Sequence, residues 1–178
     1  MPKRILLIGG PSTGKTTLLN HLENLGYACL EEISRQVISN AQKEGIDQLF
    51  LEKPLLFSTL LRDARIKQFK DVEGFKNDFV FIDRGIPDTV AYMDFVNQEY
   101  PEDFIEACKA HIYDLVFILP TWEKIHVIDQ ERYETFDQAK EIEEHLVQTY
   151  KQYGYSPIPV PTGPVEDRAQ FIINTLTS

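Results

Sequence analysis

At 178 residues, with 43% apolar and 26% charged side chains, the chain has the composition of a globular protein long enough for one domain with a sizeable core. No apolar run approaches a membrane span, and the opening Met1-Pro2-Lys3-Arg4, followed at once by a short strand, leaves no room for the apolar region of a signal peptide. The net charge of -10, from 18 Lys and Arg against 28 Asp and Glu, with no basic run, argues against nucleic acid as the main partner.

Residues 5–8 are a continuous apolar run that reads as a buried strand. Gly9-Gly10-Pro11-Ser12-Thr13-Gly14-Lys15-Thr16-Thr17 follows, and Gly9, Gly14, Lys15 and Thr16 satisfy the phosphate-loop pattern G-x-x-x-x-G-K-[ST] without a mismatch. Leu18, Leu19, Leu22 and Leu25 supply an apolar helical face behind the loop, and Gly26 stands where a helix C-cap belongs. A chance match would have no reason to carry a strand before it and a helix after it. Here both flanks are present, so the motif reads as a nucleotide-binding loop. Residues 27–30 form a second strand that ends in Glu31-Glu32. A helix begins near Ile33 and breaks at Gly45. Residues 47–69 are strongly helical, with Pro54 starting a helix rather than interrupting one. After breaks at Gly74 and Asn77-Asp78, residues 79–83 make a third, wholly buried strand closed by Asp83.

Pro87 opens a helix through Val96, and Pro101 begins another that covers Cys108. Residues 115–119 are the fourth strand, stopped by Pro120. A polar segment at 121–137 precedes a helix over about 138–153, which Gly154 ends. Residues 156–160, with two prolines, suit a fifth strand at a sheet edge, and 167–176 close the chain as a helix. Strands alternating with helices argue for an α/β fold, a parallel sheet with helices on both faces. Two excursions interrupt the regular spacing, at 32–78 and at 121–137, where a substrate lobe and a lid are expected. Cys29 and Cys108 lack metal spacing and read as buried thiols of a reducing compartment, which places the protein in the cytoplasm.

The chemistry of the loop explains its spacing. Glycines let the backbone turn its N–H groups toward phosphate oxygens, and the helix beginning at Lys15 adds unpaired N–H groups and a positive dipole end. Lys15 can reach the β/γ-phosphates and the Thr16 hydroxyl can ligate Mg²⁺. Asp83, at a strand end beside the loop, is the candidate metal carboxylate. The alternative is a cap for the next helix. Arg84 could clamp a substrate or phosphate, or form a surface ion pair. If the acceptor is a hydroxyl, a base must orient it, and Glu32 comes before Glu31 for that role. Alternation sends the two in different directions, and either could instead serve as a helix N-terminal carboxylate.

Arg132, in the polar segment, could close over the transferring phosphate, with Lys124 the weaker candidate and a solvated charged helix the alternative. Tyr133, Tyr150, Tyr153 and Tyr155 are better explained by packing around the 138–153 helix. His21, His111, His126 and His145 have no ligand spacing.

The phosphate loop, Glu32-x-x-Arg35, Asp83-Arg84-Gly85-Ile86-Pro87-Asp88, Arg132-Tyr133-Glu134 and the closing Val160-Pro161 together resemble the small AAA-type P-loop ATPase and kinase-like family, grouped with ribosylnicotinamide kinase domains. The resemblance runs over nearly the whole chain. In the order of its parts the chain is more distantly similar to deoxynucleoside and thymidylate kinases. That resemblance implies a sheet order of 2-3-1-4-5, with Glu32 as the base, Asp83 as the magnesium carboxylate, Arg84 as its neighbour and Arg132 as the lid arginine. No base-recognition pattern of a nucleoside kinase is evident.

The leading expectation is an ATP- and Mg²⁺-dependent phosphotransferase acting on a small hydroxyl-bearing metabolite such as a nucleoside or nucleotide, with GTP an alternative donor. The rival is a nucleotide-dependent ATPase or GTPase switch with a protein partner. Against that rival, the chain has no Asn-Lys-x-Asp signature, and its D-x-x-G match, Asp71 to Gly74, precedes the third strand. A phosphate loop using nucleotide as a structural ligand is the third reading, weakened by the carboxylates beside the loop. Residues 161–164 are expected to line the nucleotide base.

Overall fold

The computed structural model describes residues 1–125 and 135–177. Its five strands are β1 (Lys3–Ile8), β2 (Ala28–Leu30), β3 (Phe79–Asp83), β4 (Leu115–Ile118) and β5 (Ile158–Pro159). They form one sheet in the order β2-β3-β1-β4-β5, and every neighbouring pair is parallel. The helices described are α1 (Lys15–Asn24), α2 (Ser34–Lys43), α3 (Leu49–Glu52), α4 (Pro54–Asp71), α5 (Ile86–Phe95), α6 (Asp103–Ala110), α7 (Phe136–Gln152) and α8 (Val165–Thr177). This is the doubly covered parallel sheet that the alternating pattern and the family resemblance led us to expect.

Strand alternation divides the core in two. Ile5, Leu7, Phe81 and Phe117 face Leu18, Leu19 and Leu22 of α1 and Ala169 and Ile172 of α8. Leu6, Ile8, Val80, Ile82, Val116 and Ile118 face Ala91 of α5 and Ile142, Leu146 and Tyr150 of α7. Burying one such aliphatic side chain contributes about 1.5–3 kcal/mol, so two filled faces hold the central strands, and hence their carboxyl ends, in fixed register. Leu7 of β1 stands opposite both Asp83 of β3 and Phe117 of β4. The loop after β1 and the turn after β3 therefore leave the same sheet edge side by side.

Several boundaries differ from the sequence expectation, each for a local reason. The 47–69 stretch is two helices, because Lys53 takes a non-helical conformation and Pro54 starts α4 afresh. The α6 helix begins at Asp103 rather than Pro101. The α7 helix begins at Phe136, earlier than expected, because Thr135 and Gln138 form a reciprocal cap: the Gln138 N–H donates to the Thr135 hydroxyl and the Thr135 N–H to the Gln138 side chain. Asp137 thus belongs to that helix, not to the polar segment. Only Ile158 and Pro159 pair as β5. Leu25 lies beyond the end of α1 and is exposed instead of packing on its apolar face.

The excursion between β2 and β3 carries α2, α3 and α4 around its own small cluster of Val37, Ala41, Leu49 and Leu61. Both cysteines are free thiols, Cys108 buried and Cys29 half-buried. No helix among the described residues is long and apolar enough to cross a membrane.

Candidate functional site

The phosphate loop leaves β1 at Ile8, whose carbonyl accepts from the Leu119 N–H at 2.8 Å. That bond draws the end of β4 against the loop. Gly9 has φ +152, and a Cβ there would stand 2.6 Å from the Leu119 carbonyl oxygen, so only glycine fits. The Lys15 ammonium turns back across the loop and donates to the carbonyls of Gly9 and Gly10, each at 2.9 Å. The Thr13 hydroxyl donates to the Gly10 carbonyl at 3.1 Å. Lys15 is buried, whereas Thr16 and Thr17 are exposed at the first turn of α1. Burial, together with the Arg84 charge, pushes the Lys15 pKa down to about 8, although Asp83, Glu32 and Asp88 pull the other way.

Asp83 closes β3 with its carboxylate buried, and its Oδ1 has no hydrogen-bond partner. Burial raises its pKa, with Lys15 and Arg84 opposing. Arg84 follows in the left-handed region at φ +68, a conformation that costs a non-glycine residue roughly 1 kcal/mol or more. Its backbone N–H donates to the Leu7 carbonyl at 3.0 Å. The turn is pinned from below. The Gly85 N–H and the Tyr150 hydroxyl both donate to Asp88 Oδ2, and the Ile86 N–H donates to the Tyr113 hydroxyl at 3.2 Å. Gly85 is packed too tightly for a side chain, since a Cβ would lie 2.6 Å from Leu6 Cδ1.

Arg84 uses this conformation to meet Glu32. Its Nε lies 2.6 Å from Glu32 Oε2, and its Nη1 lies 3.8 Å from Asp88 Oδ1. Glu32 Oε1 accepts from the Ser34 N–H at 3.1 Å and from Arg65 Nη2 at 3.3 Å. Arg65, buried on α4, also donates to the Thr89 hydroxyl at 3.0 Å, so it ties the excursion to α5. Burial alone would raise the Glu32 pKa, but Arg65, Arg84 and the Ser34 N–H outweigh it and hold the carboxyl below its usual range. Glu31 is exposed, and its backbone carbonyl accepts from the Gln68 side chain at 2.8 Å. Of the two glutamates, Glu32 is the one turned into the ion-pair network.

The sequence candidates thus gather at one sheet edge: Gly9 to Thr17 in the loop and α1, Glu32 after β2, and Asp83 and Arg84 after β3. Arg132 lies outside the described residues, as do Tyr133, His126 and most of the polar segment. Lys124 sits in an exposed short turn over Glu123–Ile125. Thr121, just before that turn, donates its N–H to the Glu143 carboxylate and its hydroxyl to the Ala139 carbonyl. A cleft of about 370 Å³ opens beside the loop between Ser12, Gly14, Lys15, Thr16 and Thr17 on one side and Trp122, Ile125, Gly163, Val165 and Arg168 on the other.

Sequence reasoning did not single out Arg65 or Arg168, and it read Tyr150 as packing alone. Helical periodicity placed Tyr150 among the packed residues, and it is fully buried, but its bond to Asp88 lies beyond any periodic signal. Among the described residues no group of three or more His, Cys, Asp or Glu could hold a metal ion. An ion that takes one or two carboxylates and completes its shell with phosphate and water, as Mg²⁺ does, has no need of such a group. The partnerless Asp83 Oδ1 and the exposed Thr16 hydroxyl are oxygen donors of the kind that ion takes.

The parallel sheet and the glycine-rich loop at the end of β1 give the chain a P-loop NTPase-like fold. A family model described as "AAA domain" matches residues 4–168, and the chain belongs to that family. In fold it is similar to deoxyadenosine kinase from M. mycoides with dCMP and dCDP bound, at TM-score 0.69 and 18% identity over 98% of both chains. It is similar to thymidylate kinase from Candida albicans at TM-score 0.69 and 15% identity, over 99% of this chain and 91% of that one. It is also similar to the NadR protein in complex with NR, at TM-score 0.73 and 20% identity over 98% of this chain. The chain spans about half of NadR, 48% of its length. No curated protein sequence matches the chain.

Proposed function

We propose that the protein is a phosphotransferase that moves the terminal phosphoryl group of a nucleoside triphosphate, ATP or GTP, to a hydroxyl of a small nucleoside-like acceptor. The observation that carries this reading is the ion pair between Glu32 and Arg84, at 2.6 Å, on the sheet edge that also bears the phosphate loop and Asp83. A loop that only held a nucleotide would have no use for a carboxylate and guanidinium fixed beside it. The solved kinases of similar fold, with their nucleotide and nucleoside ligands, support the same class of acceptor.

In this reading the backbone from Gly9 to Thr17 cradles the phosphates, and Lys15 leaves the Gly9 and Gly10 carbonyls for the β/γ-phosphates. Asp83 and Thr16 would hold Mg²⁺, which when bound neutralises phosphate charge. Arg84 faces the transferring group. Glu32, kept ionised by Arg65 and Arg84, accepts a hydrogen bond from the acceptor hydroxyl and orients it in line. Phosphoryl transfer through a loose transition state asks more for positioning than for a strong base, which suits a carboxylate held below its usual pKa. Arg132 is proposed to close over the phosphates, and the 161–164 loop with Trp122 to border the nucleotide base.

The test is phosphate transfer from Mg·ATP and Mg·GTP with a panel of nucleosides and nucleotides, read by product mass. A compound that raises the rate and emerges phosphorylated establishes the reaction and its acceptor. A slow release that no compound alters contradicts the proposal.

A further inference from the structure

We propose that Arg168 is a nucleotide-positioning residue: a buried cation that fixes the phosphate loop from behind and whose charge the phosphates of the bound nucleotide balance. This rests on the nucleotide-binding reading above and adds a residue to it from the far end of the chain.

Arg168 lies on α8, near its start, and is 4% exposed. Its Nη1 donates to the Thr13 carbonyl at 3.1 Å, while its Nε and Nη2 are buried without a hydrogen-bond partner. The other buried or half-buried arginines described behave differently. Arg4 meets Glu73, Arg62 meets Asp63 and Asp103, Arg65 meets Glu32, and Arg84 meets Glu32 and Asp88. Among the described residues no carboxylate pairs with Arg168. A buried guanidinium without a counter-ion is costly, since it gives up hydration and gains no Coulomb partner. Burial accordingly lowers its pKa, and no carboxylate opposes that shift.

The location supplies the missing anion. Arg168 shares the wall of the 370 Å³ cleft with Ser12, Gly14, Lys15, Thr16 and Thr17, so phosphates seated on the loop bring negative charge beside it. The hydrogen bond also sets local geometry. In a planar trans peptide the C=O and the next N–H point in opposite directions. Holding the Thr13 carbonyl toward Arg168 therefore turns the Gly14 N–H away from it, and Gly14 N–H is one of the donors a loop of this kind offers to phosphate. Lys15 grips the Gly9 and Gly10 carbonyls and Arg168 grips that of Thr13, so the loop is held at two points by two cations.

The test compares wild type, Arg168→Met and Arg168→Lys by the melting temperature of the nucleotide-free protein and by dissociation constants for Mg·ATP and for inorganic tripolyphosphate. Arg168→Met is expected to weaken both ligands by about tenfold, as loss of one nearby charge at the effective dielectric of a protein surface implies. It should leave the ligand-free melting temperature unchanged or higher, because an unbalanced buried charge has been removed. Arg168→Lys is expected to bind both ligands nearly as wild type. Unaltered binding by Arg168→Met overturns the proposal, and so does a fall in ligand-free stability that accompanies the weaker binding, which marks a packing role. If Arg168→Met fails to fold, binding by Arg168→Lys as weak as that of a Lys15→Ala control overturns it as well. A wild-type protein that binds neither ligand removes the nucleotide reading too, whereas wild-type binding matched by Arg168→Met removes only this one.

Discussion

Around the phosphate loop the ordering contacts end on main-chain carbonyls: Lys15 on Gly9 and Gly10, Thr13 on Gly10, Arg168 on Thr13. Around Glu32 they run mainly between side chains, from Arg65 and Arg84 to the glutamate and from Tyr150 to Asp88. In the proposed function the first region recognises what every nucleoside triphosphate shares, for which peptide groups suffice. The second meets the acceptor there, and its shape depends on which side chains the excursion delivers. A backbone site is specified by a few contiguous residues, whereas a side-chain site is specified by residues far apart in the chain.

Substitutions should separate the two regions. Lys15→Ala is expected to reduce phosphoryl transfer by about 1,000-fold, the scale of losing a major electrostatic contact to the transferring group. Its far-ultraviolet circular dichroism should match wild type. Turnover unaltered by that change would remove the phosphate loop from the reaction. Glu32→Gln keeps the size of the side chain but discards its charge, and a loss of about 100-fold in transfer is expected at unchanged nucleotide affinity. Equal losses in both quantities would mean that the two regions are not separable.

The phosphate side was legible because its determinants are contiguous. Gly9, Gly14, Lys15 and Thr16 lie within one strand-loop-helix unit, and Asp83 at the end of an apolar strand needed only the parallel sheet to reach them. Sequence alone left Glu31 and Glu32 as rivals. The choice depends on Arg65 and Arg84, which approach from α4 and from a left-handed turn. Arg65 looked like one charge on a long helix, and nothing local distinguishes it from Arg62, which pairs with Asp63 and Asp103 instead. Tyr150 was read as packing, and it does pack, but its hydroxyl also reaches Asp88, 62 residues earlier. Arg168 meets Thr13 across 155 positions. Such pairings are products of sheet order and helix packing, which short-range patterns do not encode.

Tyr150→Phe removes only that hydroxyl and should destabilise the protein by about 1.5–3 kcal/mol, the range for a hydrogen bond to a charged group, measured by denaturant unfolding. A near-zero change would show that Asp88 is held well enough by Gly85 and Arg84. The smallest effect concerns pH. A lysine whose pKa is lowered to about 8 carries its charge below that value and loses it as the pH rises through it. Phosphate binding favours the charged form, so nucleotide affinity should fall by about twofold on going from neutral pH to pH 8 and further above it. Binding near pH 8 should also take up protons, measurable by calorimetry in buffers of different ionisation enthalpy. Affinity flat across that range would place the Lys15 pKa elsewhere.

The role of the Glu32 and Arg84 edge is tested most directly by one experiment: transfer to the best nucleoside acceptor and nucleotide dissociation constant, measured on the same preparations of wild type and Glu32→Gln. The expected result is a phosphorylated acceptor with wild type, a rate lower by about 100-fold with Glu32→Gln, and the same nucleotide affinity in both. Full transfer by Glu32→Gln, or no acceptor phosphorylated by wild type while nucleotide binds tightly, would contradict the assignment of the Glu32 and Arg84 edge to the acceptor.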